Sequence, residues 1–389
     1  MTSPEIRPFR IAIPQTALND LTERLARTCW VKQLPRSAPG DAWGRGVPAD
    51  YLREWAEHWR TGYDWRAQEA CLNEFPQYLT EIDGYDVHFL HVRSPEPDAL
   101  PLILTHGWPN TFVEFTQITP LLTDPRAHGG YPAQAFHVVV PSVPGFAFSE
   151  APREAGWTVD RVARMWAELM SRLGYQRYGT QGGDLGAYVA PAIAEADPKR
   201  VVGVHIDGGI GFPTEDDVAE MTDDERAEYE QMLAWSGGGV DHHVLLRKAP
   251  QTFAHAWQDS PVALLAWMLQ KFQEFTPMAK APDDVMDRDH VLTNVSLYWF
   301  TGTVASSSWP MYDGLVDGGF GWPKGQDKVP TGVYAGGSEL IRRLAERNNL
   351  IAHWPNDNPG NHFVAMEEPA AHAADIRAFF GTLPRHGDT

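Results

Sequence analysis

The sequence predicts an α/β protein: a mainly parallel sheet covered by helices on both faces, with a helical insertion and a helical N-terminal extension. Three observations predict it. From about residue 77, short apolar runs alternate with segments of helical spacing. That alternation breaks over about 210–315, where helical patterns follow one another. One strand–helix junction, "YGTQGGDLGAYVA" at 178–190, is crowded with glycine around a single aspartate. Strands that alternate with helices pair in parallel and are buried on both faces.

Along the chain, "TALNDLTERLARTCW" and "DYLREWAEHWRTGYDW" place apolar residues three and four apart, as at Tyr51, Trp55 and Trp59. They predict a helical extension over residues 1–76. "YDVHFLHV", "LPLILTH" and "FHVVVP" are strand candidates. A helix follows with Val162, Met165, Trp166, Leu169, Met170 and Leu173 on one face. "RYGTQ" leads into the glycine-rich turn, "LGAYVAPAIAEA" continues as a helix, and "RVVGVHID" is the next strand. Residues 77–209 are thus the first part of the core. Residues 210–315 form the helical insertion, acidic at first and then apolar. Its Trp257, Trp267, Trp299 and Trp309 line a pocket or fill the insertion's own core. Strand signals resume at "VPTGVYAGG" and "LIAHWPN" within the second part of the core, 316–389.

The 389 residues include 43% apolar residues and 15 tryptophans, which is a globular composition. Lys and Arg number 32 against 51 Asp and Glu, a formal charge of −19. Such a chain is repelled by phosphate backbones and anionic membranes, so nucleic-acid binding is disfavoured. Two cysteines, Cys29 and Cys71, fit a reducing compartment and are expected to be buried free thiols. The first residues lack a basic-then-apolar leader, and no apolar run approaches the roughly 20 residues that span a bilayer. A soluble cytoplasmic protein is the expectation, with a homodimer left open.

The turn Gly182-Gly183-Asp184-Leu185-Gly186 resembles the nucleophile elbow of α/β-hydrolases, with aspartate where serine is usual. In that fold the acid and the histidine follow the nucleophile, each at the end of a strand. Glu339 in "AGGSE" and His362 in "NPGNHFVAMEEP" satisfy the order. Asp207, at the end of "GVHID", is an alternative acid. The oxyanion hole takes its N–H groups from Leu185 and from Trp108 in "THGWPN". A carboxylate is ionised near neutral pH and attacks without a base. It forms an alkyl ester with a saturated carbon, and histidine is then free to activate the water that hydrolyses the ester. Aspartate at the elbow therefore predicts substitution at an epoxide or an alkyl halide. No zinc spacing and no dinucleotide-binding glycine pattern occur, so neither a metal nor another cofactor is expected.

With these motifs the chain resembles the epoxide hydrolases of the α/β-hydrolase superfamily, in their microsomal-type branch. "RPFRIAIP", "HGWPNTFVEF", "VPSVPGFAFS", "QGGDLG", "DSPVALLAWMLQKF", "LTNVSLYWFTGT" and "NHFVAMEEP" follow in that family's order over nearly the whole chain. The resemblance implies Asp184 as nucleophile, His362 as general base and Glu339 as its charge-stabilising partner. It also implies two tyrosines in the insertion that protonate the epoxide oxygen. At the first of these positions an ungapped match meets His242, and at the second Met311 with Tyr312 beside it. Tyr312 and His242 are therefore the candidate proton donors. The tryptophan-rich insertion points to a sizeable apolar or aromatic epoxide from specialised metabolism as the small-molecule substrate. Haloalkane dehalogenation ranks behind, because Leu185 replaces the tryptophan that binds a departing halide. Ring opening by a nucleophile within the substrate, giving cyclisation, is the other reading left open by the altered donors.

Overall fold

The computed structural model describes residues 5–35, 42–208, 213, 215–237, 242–314 and 325–384. Its centre is a nine-stranded sheet in the order β1-β2-β3-β5-β4-β6-β7-β8-β9. Three strands at one side, β1 (Arg7–Phe9), β2 (Gln77–Ile82) and β3 (Tyr85–Val92), pair antiparallel, and β3 pairs antiparallel with β5 (Phe136–Pro141). From β5 onward every pairing is parallel, through β4 (Leu100–Thr105), β6 (Tyr178–Gly183), β7 (Val201–Asp207), β8 (Gln326–Val333) and β9 (Asn349–His353).

The central strands read as nearly unbroken apolar runs because both of their faces are covered. In β4, Ile103 packs into one core, while Leu102 and Leu104 pack into the core on the opposite face. β5 divides in the same way, with Val139 against Val138 and Val140.

The extension supplies α1 (Gln15–Ala26), α2 (Ala49–Thr61) and α3 (Trp65–Leu72), and α4 is the short Ile118–Thr123. Helix α5 (Val159–Arg172) packs against α6 (Leu185–Ala196) on one face of the sheet. Buried Val162, Met165, Trp166, Leu169 and Met170 give α5 the stripe expected from its period. Thr158 caps it by accepting the Arg161 N–H.

Between β7 and β8 the described chain is helical: α7 (Glu215–Glu220), α8 (Asp223–Gly237), α9 (His242–Lys248), α10 (Pro250–Asp259), α11 (Pro261–Glu274) and α12 (Arg288–Thr301). The extension braces this insertion. Trp59 Nε1 donates to Ser296 Oγ at 2.9 Å, Tyr51 donates to Asp283 at 2.7 Å, and α1 and α2 both lie on α11. After β8 come α13 (Glu339–Ala345), α14 (Val364–Glu367) and α15 (Pro369–Gly381), the last packing on α4. Among the described residues, no helix is long and apolar enough to cross a membrane.

Two expectations are corrected. The extension is not wholly helical: Arg7-Pro8-Phe9 forms an edge strand on β2, a place where proline's missing N–H is tolerated. Both cysteines are exposed rather than buried, though free as expected.

The sheet's central crossing is exceptionally tight. A Cβ on Gly186 would collide with the Thr105 carbonyl oxygen, and one on Gly182 would lie 2.6 Å from the Gly186 backbone. Backbone has nowhere to retreat there, so Gly186→Ala is expected to cost about 1–3 kcal/mol through overpacking. Equilibrium urea unfolding checks this, and an unchanged midpoint would contradict the close approach.

Candidate active site

Asp184 stands at the turn between β6 and α6 with φ 52° and ψ −120°, a conformation an L-residue holds only when its surroundings fix it. The glycines on either side let β4, β6 and α6 close around it. Gly107 is equally required, because any side chain there would strike the Asp184 carboxylate.

The two oxygens of that carboxylate are held differently. Oδ1 accepts the Trp108 N–H at 2.9 Å and the Leu185 N–H at 2.7 Å. Oδ2 faces His362, whose Nε2 lies 3.4 Å away and makes no hydrogen bond among the described residues. Burial alone would push the Asp184 carboxyl up. The His362 ring and the two N–H groups outweigh it and hold the group at about 2. The Asp184 and His362 side chains retain 27% and 28% of their exposure, so a small molecule can reach them.

His362 follows β9 on the loop into α14. Its ring stacks on Phe275 at 4.5 Å and meets the edge of Phe363 at 4.9 Å. Phe275 closes α11, so the insertion reaches the histidine directly. The His242 ring stacks on Trp108 at 4.9 Å and 15° and meets Phe275 edge-on at 5.7 Å. Trp267 tilts against Trp108 at 6.0 Å and stacks on Trp257 at 4.8 Å. Of the four tryptophans singled out in the insertion, these two lie towards the site. Trp309 is instead fully buried beside Trp157, donating to the Pro144 carbonyl, and Trp299 lies under the Arg24 guanidinium.

Tyr312 lies in a π-helical turn, Pro310–Gly314, that packs against α9, the helix that begins at His242. Met311 beside it is buried, whereas Tyr312 is partly exposed. Burial and the neighbouring Asp313 push the Tyr312 phenol up.

The acids depart from expectation. Glu339 opens α13 with its side chain exposed, and it makes no hydrogen bond or ion pair among the described residues. The structure therefore does not pair it with His362. Asp207 lies behind β6, its Oδ1 accepting from His372 Nε2 at 2.8 Å and its Oδ2 from Gln181 at 2.7 Å. Burial would raise its carboxyl, but His372, His205 and Gln181 hold it below the usual range. Both of its oxygens are thus spent on His372 and Gln181, and it does not serve His362. His205, Asp207 and His372 do converge closely enough to suggest a metal cluster. His372 Nε2 is taken by Asp207 and His205 Nε2 by Asp375, both at 2.8 Å, while His205 Nδ1 lies 3.8 Å from Asp207 and makes no hydrogen bond among the described residues.

Sequence reasoning missed the residues that hold the oxyanion loop. Asn294 Nδ2 donates to the Pro109 carbonyl at 2.8 Å, and its Oδ1 accepts from Thr111 Oγ1 at 2.8 Å. Tyr298 donates to the Asn110 carbonyl at 3.1 Å. His106 donates through Nδ1 to the Gly107 carbonyl and accepts the Val143 N–H through Nε2, and burial lowers its pKa to about 4, which keeps it neutral. The Trp108–Pro109 peptide is cis. One turn beyond Asp184, burial and the Asp184 charge push Tyr188 up to about 12. The only sequence signal for Asn294 and Tyr298 was the run "LTNVSLYWFTGT", read there as order along the chain and not as contact.

Known proteins place this geometry. Residues 6–115 match the family model described as epoxide hydrolase N terminus, and residues 101–369 match that of the alpha/beta hydrolase fold. A chain of Stigmatella aurantiaca (strain DW4/3-1) carrying the name "Putative epoxide hydrolase" is 42% identical, over 97% of this chain and 85% of its own length. Epoxide hydrolase 1 of Sus scrofa is 33% identical, over 97% and 89%. The structure of Aspergillus niger epoxide hydrolase superposes with a TM-score of 0.82 at 27% identity, covering 98% of this chain and 97% of that one. An aspartate elbow with both N–H donors on one oxygen, a histidine at the other, and likeness along nearly the whole length place this chain among the epoxide hydrolases of the α/β-hydrolase fold.

Proposed function

We propose that the chain converts an epoxide to a vicinal diol through an ester on Asp184. The observation that carries the reading is the division of labour between its oxygens. Oδ1 is held by Trp108 and Leu185, and Oδ2 is open towards His362. Oδ2 attacks a ring carbon, the carbon–oxygen bond breaks, and the ring oxygen leaves as an alkoxide that takes a proton from the insertion. His362 Nε2 then removes a proton from a water attacking Cγ. Negative charge develops on Oδ1, where the two N–H groups already point. Collapse expels the diol oxygen, which recovers the proton from His362; the Asp184 carboxylic acid, now with an oxygen from water, loses its proton to solvent as the donor in the insertion regains one.

His242 is the proposed proton donor, because its ring bridges Trp108 on the nucleophile side and Phe275 on the base side. Tyr312 is the second. A π turn holds one residue more than an α turn. It therefore supports the one-residue offset that sets Tyr312, not Met311, in the donor position. Glu339 as partner of the His362 imidazolium rests on residue order alone and would require α13 to shift. The rings of Trp108, Trp267, Phe275 and His242 support an aryl or otherwise apolar epoxide as substrate. Residues 210–315 act in this reading as the cap over the site, and the cytoplasm is the proposed location.

Three measurements test the reading. In a single turnover in H₂¹⁸O, the heavy oxygen is expected in Asp184 and absent from the diol. Label in the diol would instead mean direct attack by water. His242→Ala and Tyr312→Phe are each expected to lower the rate of ester formation by about 10²-fold, the usual worth of a positioned acid. Burst kinetics with styrene oxide checks this, and an unchanged burst removes that residue as a donor. The third concerns pH. Because Asp184 is depressed from 3.8 to about 2, the ionised form is the one the fold favours. That stabilisation is complete above pH ~4 and is lost only as pH falls through the folded value. Ester formation at pH 4.5 is therefore expected to be no slower than at pH 7, and a fall between the two would contradict a depressed nucleophile.

A further inference from the structure

Asp184 is fixed by contacts of its own, but His362 stands on a short loop between β9 and the four-residue α14. Its own backbone N–H makes only a long bond of 3.4 Å to the Phe275 carbonyl. The loop is held from another direction. Glu367, the last residue of α14, turns its carboxylate back over the loop. Its Oε2 accepts the Asn361 N–H at 3.0 Å and Asn361 Nδ2 at 2.6 Å, and its Oε1 accepts the Phe363 N–H at 3.0 Å. One carboxylate thus takes N–H groups from the residues on both sides of His362.

An ordinary helix-capping carboxylate binds the N–H at the helix start and nothing more. Glu367 does this with Phe363 and then uses its second oxygen on Asn361, which lies outside the helix. Hydrogen bonds to an ionised group are roughly twice as strong as neutral ones. Together with the Phe275 stack, they fix the angle at which the imidazole meets Asp184.

We propose that Glu367 is the positioning residue of the hydrolytic half-reaction: it sets His362 for proton abstraction and leaves attack by Asp184 untouched. The proposal rests on the two-step reading above. Attack by a carboxylate needs no base, whereas ester hydrolysis depends on where the imidazole sits. Misplacement of a catalytic group by ~1 Å costs on the order of 10²-fold. Loss of Glu367 should therefore separate the two steps, while general loosening of the fold would slow both.

Glu367→Ala, Glu367→Gln and His362→Gln are mixed with styrene oxide beside the wild type, quenched over time and read by intact mass and melting temperature. Glu367→Ala is expected to form the Asp184 adduct at the wild-type rate and to lose it ~100-fold more slowly, so that adduct accumulates. Glu367→Gln, which keeps one acceptor oxygen, should fall between the two and serves as the readout if the alanine variant does not fold. Adduct decay at the wild-type rate in both variants would overturn the proposal. So would both steps slowing together with a lowered melting temperature. Adduct in His362→Gln without it in the Glu367 variants would defeat only the positioning role. Absence of adduct in His362→Gln as well would defeat the Asp184 chemistry beneath it.

Discussion

Everything at this site depends on two backbone N–H groups meeting at one oxygen of Asp184. For Trp108 and Leu185 to reach Oδ1 together, the loop after β4 and the start of α6 must nearly touch. That approach is possible only because positions 107, 182 and 186 carry no side chain. The left-handed backbone at Asp184 is the cost of it, borne locally and held in place by the packed sheet on either side. Once the approach exists, much else follows. Oδ1 is committed, Oδ2 is left facing His362, and the carboxyl is ionised well below neutral pH.

The surroundings are charged but arranged in separate compartments. Behind β6, Asp207 with His372 and Asp375 with His205 and His353 tie the sheet to α15. Glu114, buried under the oxyanion loop, is pushed well above the carboxylate range by burial and by the charges of Asp207 and Asp184. Burial and those neighbouring charges favour its neutral form. In front of the sheet the insertion presents mainly aromatic rings, with one buried ion pair among them: Lys271 lies over the Trp267 ring and pairs with Glu274.

Much of this was legible in the sequence because it depends on local pattern. The apolar runs of β4, β5 and β7 and the period of α5 announce their elements, and the glycine spacing announces the elbow. What was not legible depends on contact between distant segments. β1 is three residues with a proline and carries no periodic signal at all. Asn294 and Thr111 meet across 183 positions of the chain, and nothing in either stretch marks them as partners. Glu339 shows the converse. Order along the chain matched a triad, but α13 begins with Glu339 exposed at its first position, and no spacing rule gives the direction of a side chain. Glu367 was read only as part of a motif, since its role lies in reaching backwards over a loop.

The grip of α12 on the oxyanion loop has a consequence for how such an enzyme diversifies. Asn294 and Tyr298 tie α12 to the Pro109 and Asn110 carbonyls, next to the Trp108 N–H that reaches Asp184. That side of the insertion therefore cannot be re-cut without disturbing the backbone beneath it. The opposite side is different: apart from His242 and Phe275, α10 and α11 reach towards Trp108 through Trp257 and Trp267, and such rings can be exchanged for others of similar volume. One side of the insertion is thus free to vary, and the other is tied to the backbone that holds Asp184.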